Sequence, residues 1–183
     1  MSIIMGRVGA AAAIVAIFLL SSCGINSEKK PVMTESSHTR GEQCDRALGF
    51  FSKELGIPSV DIEYGSEAPY EKIGLGAHCT VTQSDLAIGQ TRLRSMLPNE
   101  SEPALLKGDL SYIPQSGYDE KVWLKTTASA VYIATKVDGW QGTLTIETVQ
   151  IKTGESKFKV SDQQIRSASQ FLITLTKELG AQG

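Results

Sequence analysis

An apolar run near the N-terminus, from Val8 to Leu20, limits which part of this 183-residue chain can contribute to a folded core. The run contains 13 residues without a charged side chain, and Arg7 precedes it. A membrane-spanning helix needs roughly 20 apolar residues to cross the hydrocarbon layer, so this run is too short for one. Its length, its basic start and the small residues behind it are typical of a secretory signal peptide. The folded core must therefore come from the residues that follow.

The run ends in a tetrapeptide, Leu20-Ser21-Ser22-Cys23, that resembles the lipobox of bacterial lipoprotein precursors. The resemblance implies that residues 1–22 are a cleaved signal peptide and that Cys23 carries a diacylglyceryl group as the first mature residue. Two acyl chains hold a protein stably on a membrane. We therefore expect a lipid-anchored domain at the cell membrane, facing outside the cytoplasm. A plain signal peptide whose cysteine later forms a disulfide, or an uncleaved anchor, is the alternative.

The charge of the chain excludes one class of partner. Without Arg7 there are 17 lysines and arginines against 20 aspartates and glutamates, and the pair Lys29-Lys30 is too small to be a basic cluster. Nucleic acids favour clustered basic side chains, because these release counterions from the phosphates. We expect no nucleic-acid partner. The expected partners are the membrane, through the lipid anchor, and an envelope protein, glycan or lipid.

The segment behind the lipobox has the composition of a tether. Residues 24–40, GINSEKKPVMTESSHTR, are rich in serine, threonine, lysine and glutamate and contain hardly any bulky apolar side chain. Such a composition predicts a flexible segment, which with Cys23 runs from residue 23 to residue 40. About 140 residues remain, a length that suits one domain, and we place this single domain at residues 41–183.

The two other cysteines, Cys44 and Cys79, are an even pair once Cys23 is lipidated. Outside the cytoplasm such a pair is expected to form a disulfide. Closing a loop of about 35 residues would stabilise the domain by roughly 3–4 kcal/mol in the loop-entropy model. A metal or redox site has little support, because the chain has no Cys-x-x-Cys motif and only two histidines, His38 and His78. We therefore expect no metal and no cofactor.

Two segments have the apolar spacing of amphipathic helices. In residues 42–55 the apolar side chains, including that of Cys44, recur every three or four residues, so Cys44 is expected to point toward the core. Near the C-terminus, Ser161 and Gln164 make a capping-box pattern in front of a second apolar stripe. Gly180 is predicted to end that second helix.

Alternating apolar residues predict strands between the two helices. The predicted strands are Val60–Tyr64, His78–Thr82, Leu86–Leu93, one around Val122 and Leu124, one around Val131 and Ile133, Thr143–Ile151 and Lys157–Val160. Chain reversals are expected at Gln83-Ser84-Asp85, Asp138-Gly139 and Thr153-Gly154-Glu155. Residues 98–118 are predicted to form a long loop interrupted by one turn of helix. These elements predict an α+β fold, a largely antiparallel sheet packed against an N-terminal and a C-terminal amphipathic helix, with one disulfide.

The sequence contains no catalytic motif that we can identify. Residues 64–67, Tyr-Gly-Ser-Glu, lack the second glycine of a nucleophile elbow, and His78 is the only histidine of the predicted domain. No phosphate-binding glycine loop is present. We therefore predict no catalytic residue.

Four residues are candidate ligand contacts. Asp61 and Glu63 share one face of a predicted strand, Tyr64 follows them, and Trp140 stands just past a predicted turn. Aromatic side chains have an apolar ring and a polar end, which suits a ligand contact as well as a core position. A solvated strand face is the alternative explanation for the two carboxylates, and it is the more common one.

The sequence favours a non-enzymatic binding module at the cell envelope, which uses its sheet face or the long loop. One alternative is an envelope hydrolase or transferase that uses the carboxylates of Asp61, Glu63, Glu67 or Glu71. Another is a carrier with an apolar cavity between helices and sheet. The layout of lipobox, tether and small cystine-containing domain is similar to that of small actinobacterial envelope lipoproteins of unknown function. This similarity of architecture implies no site residue besides Cys23.

Overall fold

The computed structural model describes residues 33–64, 68–109, 111–153 and 158–181. The predicted signal peptide, Cys23 and the first part of the predicted tether lie outside these residues. No helix in the described ranges is both long enough and apolar enough to cross a membrane.

The described residues form nine strands and two α-helices. In chain order these are β1 (Ser36–Thr39), α1 (Arg40–Gly49), β2 (Val60–Glu63), β3 (Lys72–Gly74), β4 (Gly76–Gln83), β5 (Leu86–Ser95), β6 (Ile113–Gln115), β7 (Lys121–Thr126), β8 (Ala130–Val137), β9 (Trp140–Glu147) and α2 (Asp162–Thr176). Each α-helix continues into a π-helical turn, at Phe50–Glu54 and at Lys177–Ala181, and Ala104–Leu106 make a 3-10 turn.

Seven of these strands form one antiparallel sheet in the order β2-β4-β5-β9-β8-β7-β6, and β1 pairs with β3 in a separate small sheet. Two-residue turns, Ser84-Asp85 and Asp138-Gly139, join β4 to β5 and β8 to β9. Both residues of each turn have positive φ, 51° and 62° in the first turn and 44° and 82° in the second. This is the geometry that short hairpins favour, because its twist matches that of the strands. Both turns lie at predicted reversals.

Helices α1 and α2 cover one face of the large sheet, here called the inner face. Helix α1 packs on β4, and α2 packs on β8 and β9. A capping box begins each helix, Thr39 with Glu42 and Ser161 with Gln164. Because a capping box satisfies N–H groups that have no partner inside the helix, it determines where the helix starts. The opposite face, the outer face, carries no α-helix in the described part of the chain.

The main core lies between the helices and the inner face of the sheet. Cys44 of α1 and Cys79 of β4 lie in this core, each 1 % exposed, and form a disulfide with a Cα–Cα distance of 5.4 Å. The predicted α+β fold, with a large antiparallel sheet, two helices and this disulfide, is confirmed.

The folded region begins before the predicted boundary at residue 41. Strand β1 belongs to the segment predicted to be a tether, yet it pairs with β3, and the Ser36 side chain is buried. The Ser36 hydroxyl donates a hydrogen bond to the carbonyl of Leu179 near the C-terminus. A short strand whose only fully buried side chain is a serine has no apolar alternation, so its sequence carries no strand signal.

The C-terminal helical segment does not stop before Gly180, because its π-helical turn runs to Ala181. A Cβ atom on Gly180 would lie 2.7 Å from Cδ2 of Trp140. The glycine therefore allows the turn to pack closely on the Trp140 ring rather than ending the helix.

Three other segments differ from the prediction. Residues 158–160 have no regular secondary structure where a strand was expected, and Lys157 lies outside the described residues. Strand β6 lies within the predicted long loop, and β3 lies in a segment where no strand was predicted. Strands of three residues, as β3 and β6 are, are too short to show a periodic pattern.

Candidate functional site

The outer face of the sheet presents polar side chains from its central strands. Successive strand residues point to opposite faces, so Gln90 and Arg92 of β5 share the outer face. In the pairing of β5 with β9, Arg92 is opposite Thr143 and Gln90 is opposite Thr145. In the pairing of β9 with β8, Thr145 is opposite Tyr132. Three neighbouring strands therefore contribute to one polar patch.

Residues 96–109, here called the roof loop, pass over this patch. Between loop and sheet lies a cavity of about 450 Å³, the outer-face cavity, whose polar lining includes Gln90, Arg92, Tyr112, Tyr132, Thr143 and Thr145. This volume is within the range of small-ligand sites, ~300–1,000 Å³. The sequence predicts a long loop here but does not show where the loop lies.

One end of the roof loop is attached to the sheet through Glu100, whose side chain is 6 % exposed. Its carboxylate accepts hydrogen bonds from Nη2 of Arg94 and from the backbone N–H of Leu97, both at 2.8 Å. The hydrogen bond from the Leu97 N–H is the main reason why the pKa of Glu100 is lowered. Burial raises this pKa in part, and the hydrogen bond and charge of Arg94 lower it further. Gln141 of β9 accepts from Arg94 at 3.2 Å and from the N–H of Ala104 at 2.9 Å. The charge of Arg94 is therefore already compensated.

A second ion pair attaches the other end of the roof loop. Nζ of Lys125 lies 2.7 Å from Oδ2 of Asp109 and 5.7 Å and 5.6 Å from the ring centroids of Tyr112 and Tyr132. The hydrogen bond from Lys125, with those from Ser111, lowers the pKa of Asp109 to about 2, so this carboxylate is charged at neutral pH. Burial raises the pKa of Tyr112 to about 12, and the negative charge of Asp109 contributes to this rise. The Tyr112 phenol therefore keeps its proton and can donate a hydrogen bond.

Six polar side chains of the cavity make no hydrogen bond to another described residue. They are those of Gln90, Arg92, Tyr112, Tyr132, Thr143 and Thr145. Accessible polar groups that are not satisfied within a protein bind water or a ligand. The neighbouring side chains of Arg94, Gln141 and Lys125 hold the roof loop, whereas these six are available to a ligand.

Arg92 is the cation of this lining that has no ion pair within the described ranges. No Asp or Glu is among the described residues that line the cavity. A neighbouring cavity of about 240 Å³ shares Arg92 and Arg94 and adds Arg40 and His78. Arg94 is paired with Glu100 and Arg40 lies 3.8 Å from Glu71, so Arg92 is the described side chain here whose positive charge is uncompensated. The described lining lacks the carboxylates that serve as general acids and bases.

The predicted carboxylates lie elsewhere. Asp61 and Glu63 are exposed on β2 at the edge of the sheet, and β4 separates them from β5. Neither lines the outer-face cavity. Glu71 is exposed, with its Oε2 3.8 Å from Nε of Arg40, and Glu67 lies outside the described residues. The three described carboxylates are thus solvated and do not converge on the cavity.

The two predicted aromatic contacts are packed against the core. Trp140 is 0 % exposed and packs against Leu175 and Gly180, so it presents no ring face to solvent. Of the two roles considered for Trp140, ligand contact and core packing, the structure shows core packing. Tyr64 is partly buried against the main core, and this burial is the main cause that raises its pKa. Neither residue lines the outer-face cavity.

Sequence reasoning missed Arg92 and Thr143, which lie side by side in the cavity lining. One partial signal was present, because Gln90 and Arg92 are two residues apart in the predicted strand 86–93 and so share a face, although Leu86 and Ile88 fall at the same spacing. Alternation cannot show that a loop covers this face. Nor can it show that β9 brings Thr143 next to Arg92, because that depends on the strand order of the sheet.

A second cavity, of about 510 Å³, lies between α1 and α2 and is here called the helix groove. The rings of Phe50 and Phe171 stack in its lining with their centroids 4.4 Å apart. Arg46, which also lines it, forms an ion pair with Glu178. The helix groove is mainly apolar but open to solvent along one side, and it is the feature that best fits the carrier alternative.

Comparison with known protein families, with curated proteins and with solved structures finds no match for this chain. Within the described residues, no group of three or more His, Cys, Asp or Glu side chains is placed to hold a metal ion.

Proposed function

We propose that this chain is a lipid-anchored protein of the cell envelope, facing outside the cytoplasm, whose domain is a non-enzymatic binding module. In this proposal the outer-face cavity holds a small polar ligand or the polar end of an envelope glycan. One observation carries the proposal: six cavity side chains have no hydrogen-bond partner among the described residues.

The attachment of the roof loop supports a binding role. Glu100 and Asp109 each form an ion pair with a sheet residue, at separate points of the loop. Cavity walls that are held before the ligand arrives reduce the entropy lost on binding. A ligand with hydroxyl or carbonyl groups can replace water on Gln90, Thr143 and Thr145 without a change of fold.

The hydrolase alternative has less support. Glycoside hydrolysis generally uses two carboxyl groups roughly 5–10 Å apart on either side of the scissile bond. The described lining of the outer-face cavity contains no carboxylate, and Asp61 and Glu63 are solvated at the sheet edge. A polar ligand therefore has a place to bind, but no acid–base pair from the described residues stands beside it.

Two features support the proposed location. Residues 20–23 resemble a lipobox, which makes Cys23 the proposed lipidation site. Cys44 and Cys79 form a disulfide, a bond that persists in oxidising compartments and is rare in the cytoplasm.

The location is tested by intact-mass analysis of the full chain recovered from its native membranes. We expect a mature chain that begins at Cys23, carries a diacylglyceryl group and gains roughly two mass units when one disulfide is reduced. A Cys23→Ala variant is the control, and it should carry no lipid. A wild-type chain without lipid would contradict the proposed anchor.

The binding role is tested by calorimetric titration of the full chain, in mild detergent, with soluble cell-wall glycan fragments. Thr143→Trp fills the outer-face cavity, and we expect it to weaken binding at least about tenfold. Thr174→Trp puts the same side chain into the helix groove and is the matched control, which should bind as the wild type does. Both variants are first checked for a wild-type unfolding midpoint.

The reverse result would support the carrier alternative. Binding that is lost in Thr174→Trp and kept in Thr143→Trp would place the ligand in the helix groove and contradict the proposal. If the wild-type chain binds no glycan fragment, the proposal that the ligand is an envelope glycan is contradicted.

A further inference from the structure

The charge of the outer-face cavity is uncompensated at one position. Arg94 is paired with Glu100, and Lys125 is paired with Asp109. Arg92 lines the cavity and has neither an ion pair nor a side-chain hydrogen bond to any described residue. The guanidinium group is a planar fork of donors that matches a carboxylate or a phosphate with two parallel hydrogen bonds. The cavity therefore offers one position for an oxyanion.

The side chains around Arg92 suit a ligand that carries hydroxyl groups. Thr143 is directly opposite Arg92, and Thr145 is directly opposite Gln90. Opposed residues have Cβ atoms roughly 5 Å apart, and residues two apart on a strand are about 7 Å apart, so the four side chains outline a patch of ring-sized dimensions. Amide and hydroxyl groups both donate and accept hydrogen bonds, as sugar hydroxyls do.

Other classes of ligand fit this lining less well. A nucleic acid needs many cations, and Arg92 is the one uncompensated cation of the described lining. A divalent cation needs negatively charged oxygen ligands, and the described lining has no carboxylate. A purely apolar ligand would bury Gln90, Thr143 and Thr145 without hydrogen bonds, which is unfavourable.

We infer that the outer-face cavity binds a sugar that carries one oxyanion group, a carboxylate or a phosphate. The oxyanion binds the guanidinium of Arg92, and the hydroxyl groups of the sugar exchange hydrogen bonds with Gln90, Thr143 and Thr145. This inference rests on the proposed function, because it names the chemistry of the ligand for the same cavity.

The inference is tested by NMR titration of the full chain, in mild detergent, with glucuronic acid, glucose 6-phosphate, glucose and inorganic phosphate. We expect at least one charged sugar to bind about tenfold more tightly than both glucose and inorganic phosphate. The charged sugar that binds identifies the oxyanion as a carboxylate or a phosphate. The amide signals that shift should be those of Gln90, Thr143 and Thr145.

Variants at two arginines show whether Arg92 holds the oxyanion. Arg92→Gln is expected to abolish the preference for the charged sugar over glucose. Arg166→Gln makes the same substitution on the exposed surface of α2, and it should leave the preference unchanged. Arg92→Lys keeps the charge but loses the planar fork, so its preference should be intermediate.

Three outcomes would overturn the inference. The first is equal affinity for glucose and the charged sugars, or a preference that survives Arg92→Gln. The second is inorganic phosphate binding as tightly as glucose 6-phosphate, since the protein would then recognise the anion alone. The third is no binding of any of the four probes. In each case the titration with glycan fragments and Thr143→Trp still decides the proposed function, so the two failures are distinguishable.

Discussion

Replacement of both Cys44 and Cys79 by alanine is expected to lower the free energy of unfolding by about 3–4 kcal/mol. The two residues are 35 apart in the sequence, so their disulfide removes loop-closure entropy from the unfolded chain. The bond also ties α1 to β4 inside the core, where each cysteine is 1 % exposed. The measurement is a urea unfolding curve of the full chain, recorded by circular dichroism with and without reductant.

Two controls isolate the contribution of the disulfide. Reduction of the wild-type protein should cause a similar loss of stability, and the Cys44→Ala, Cys79→Ala double variant should not respond to reductant. Cys23→Ala removes a cysteine that is not part of the pair and should leave the unfolding midpoint of the domain unchanged. A midpoint that stays constant after reduction, with both thiols shown to be free, would contradict the prediction.

Gly89→Ala is expected to destabilise the domain by about 3 kcal/mol, at the upper end of the usual cost of overpacking a core. Gly89 is buried in β5, and a Cβ atom there would lie 1.9 Å from Cζ of Phe51. Phe51 is 0 % exposed, so its ring has no free space into which it can turn. The strand or the π-helical turn must shift instead. The urea unfolding free energy of the variant measures this cost.

Gly49→Ala is the matched control for this substitution. Gly49 has helical dihedral angles, φ −59° and ψ −42°, and a Cβ atom there would meet nothing within 4 Å. Alanine at this position should be neutral or stabilise the protein by about 0.5–1 kcal/mol, because it restricts the unfolded chain and favours helix. A Gly89→Ala protein as stable as the wild type would show that the contact with Phe51 relaxes at little cost.

The candidate site was predictable from the sequence only in outline. Either the sheet face or the long loop was expected to bind a partner, and the cavity lies between the two. The expected contact residues are elsewhere, with Asp61 and Glu63 at the sheet edge and Trp140 in the core. Alternation predicts which side chains leave the core, but it does not predict which exposed face a loop will cover.

Elements that depend on near neighbours follow from local patterns of residues. The capping box of Ser161 and Gln164 spans four residues, and the turn at Asp138-Gly139 spans two. Both can therefore be predicted without knowledge of tertiary contacts. The apolar stripe that carries Cys44 likewise predicted a helix facing the core.

The burial of Trp140, the neighbours of Arg92 and the position of the roof loop over the cavity depend on contacts between distant parts of the chain. Trp140 is buried because the C-terminal turn packs on its ring at Gly180, where there is no side chain. Arg92 meets Thr143 because β5 and β9 are neighbours in the sheet, although they are distant in the sequence. Ion pairs of Glu100 with Arg94 and of Asp109 with Lys125 hold the roof loop over them. Strand order and burial arise from interactions across the whole domain, and no local pattern specifies them.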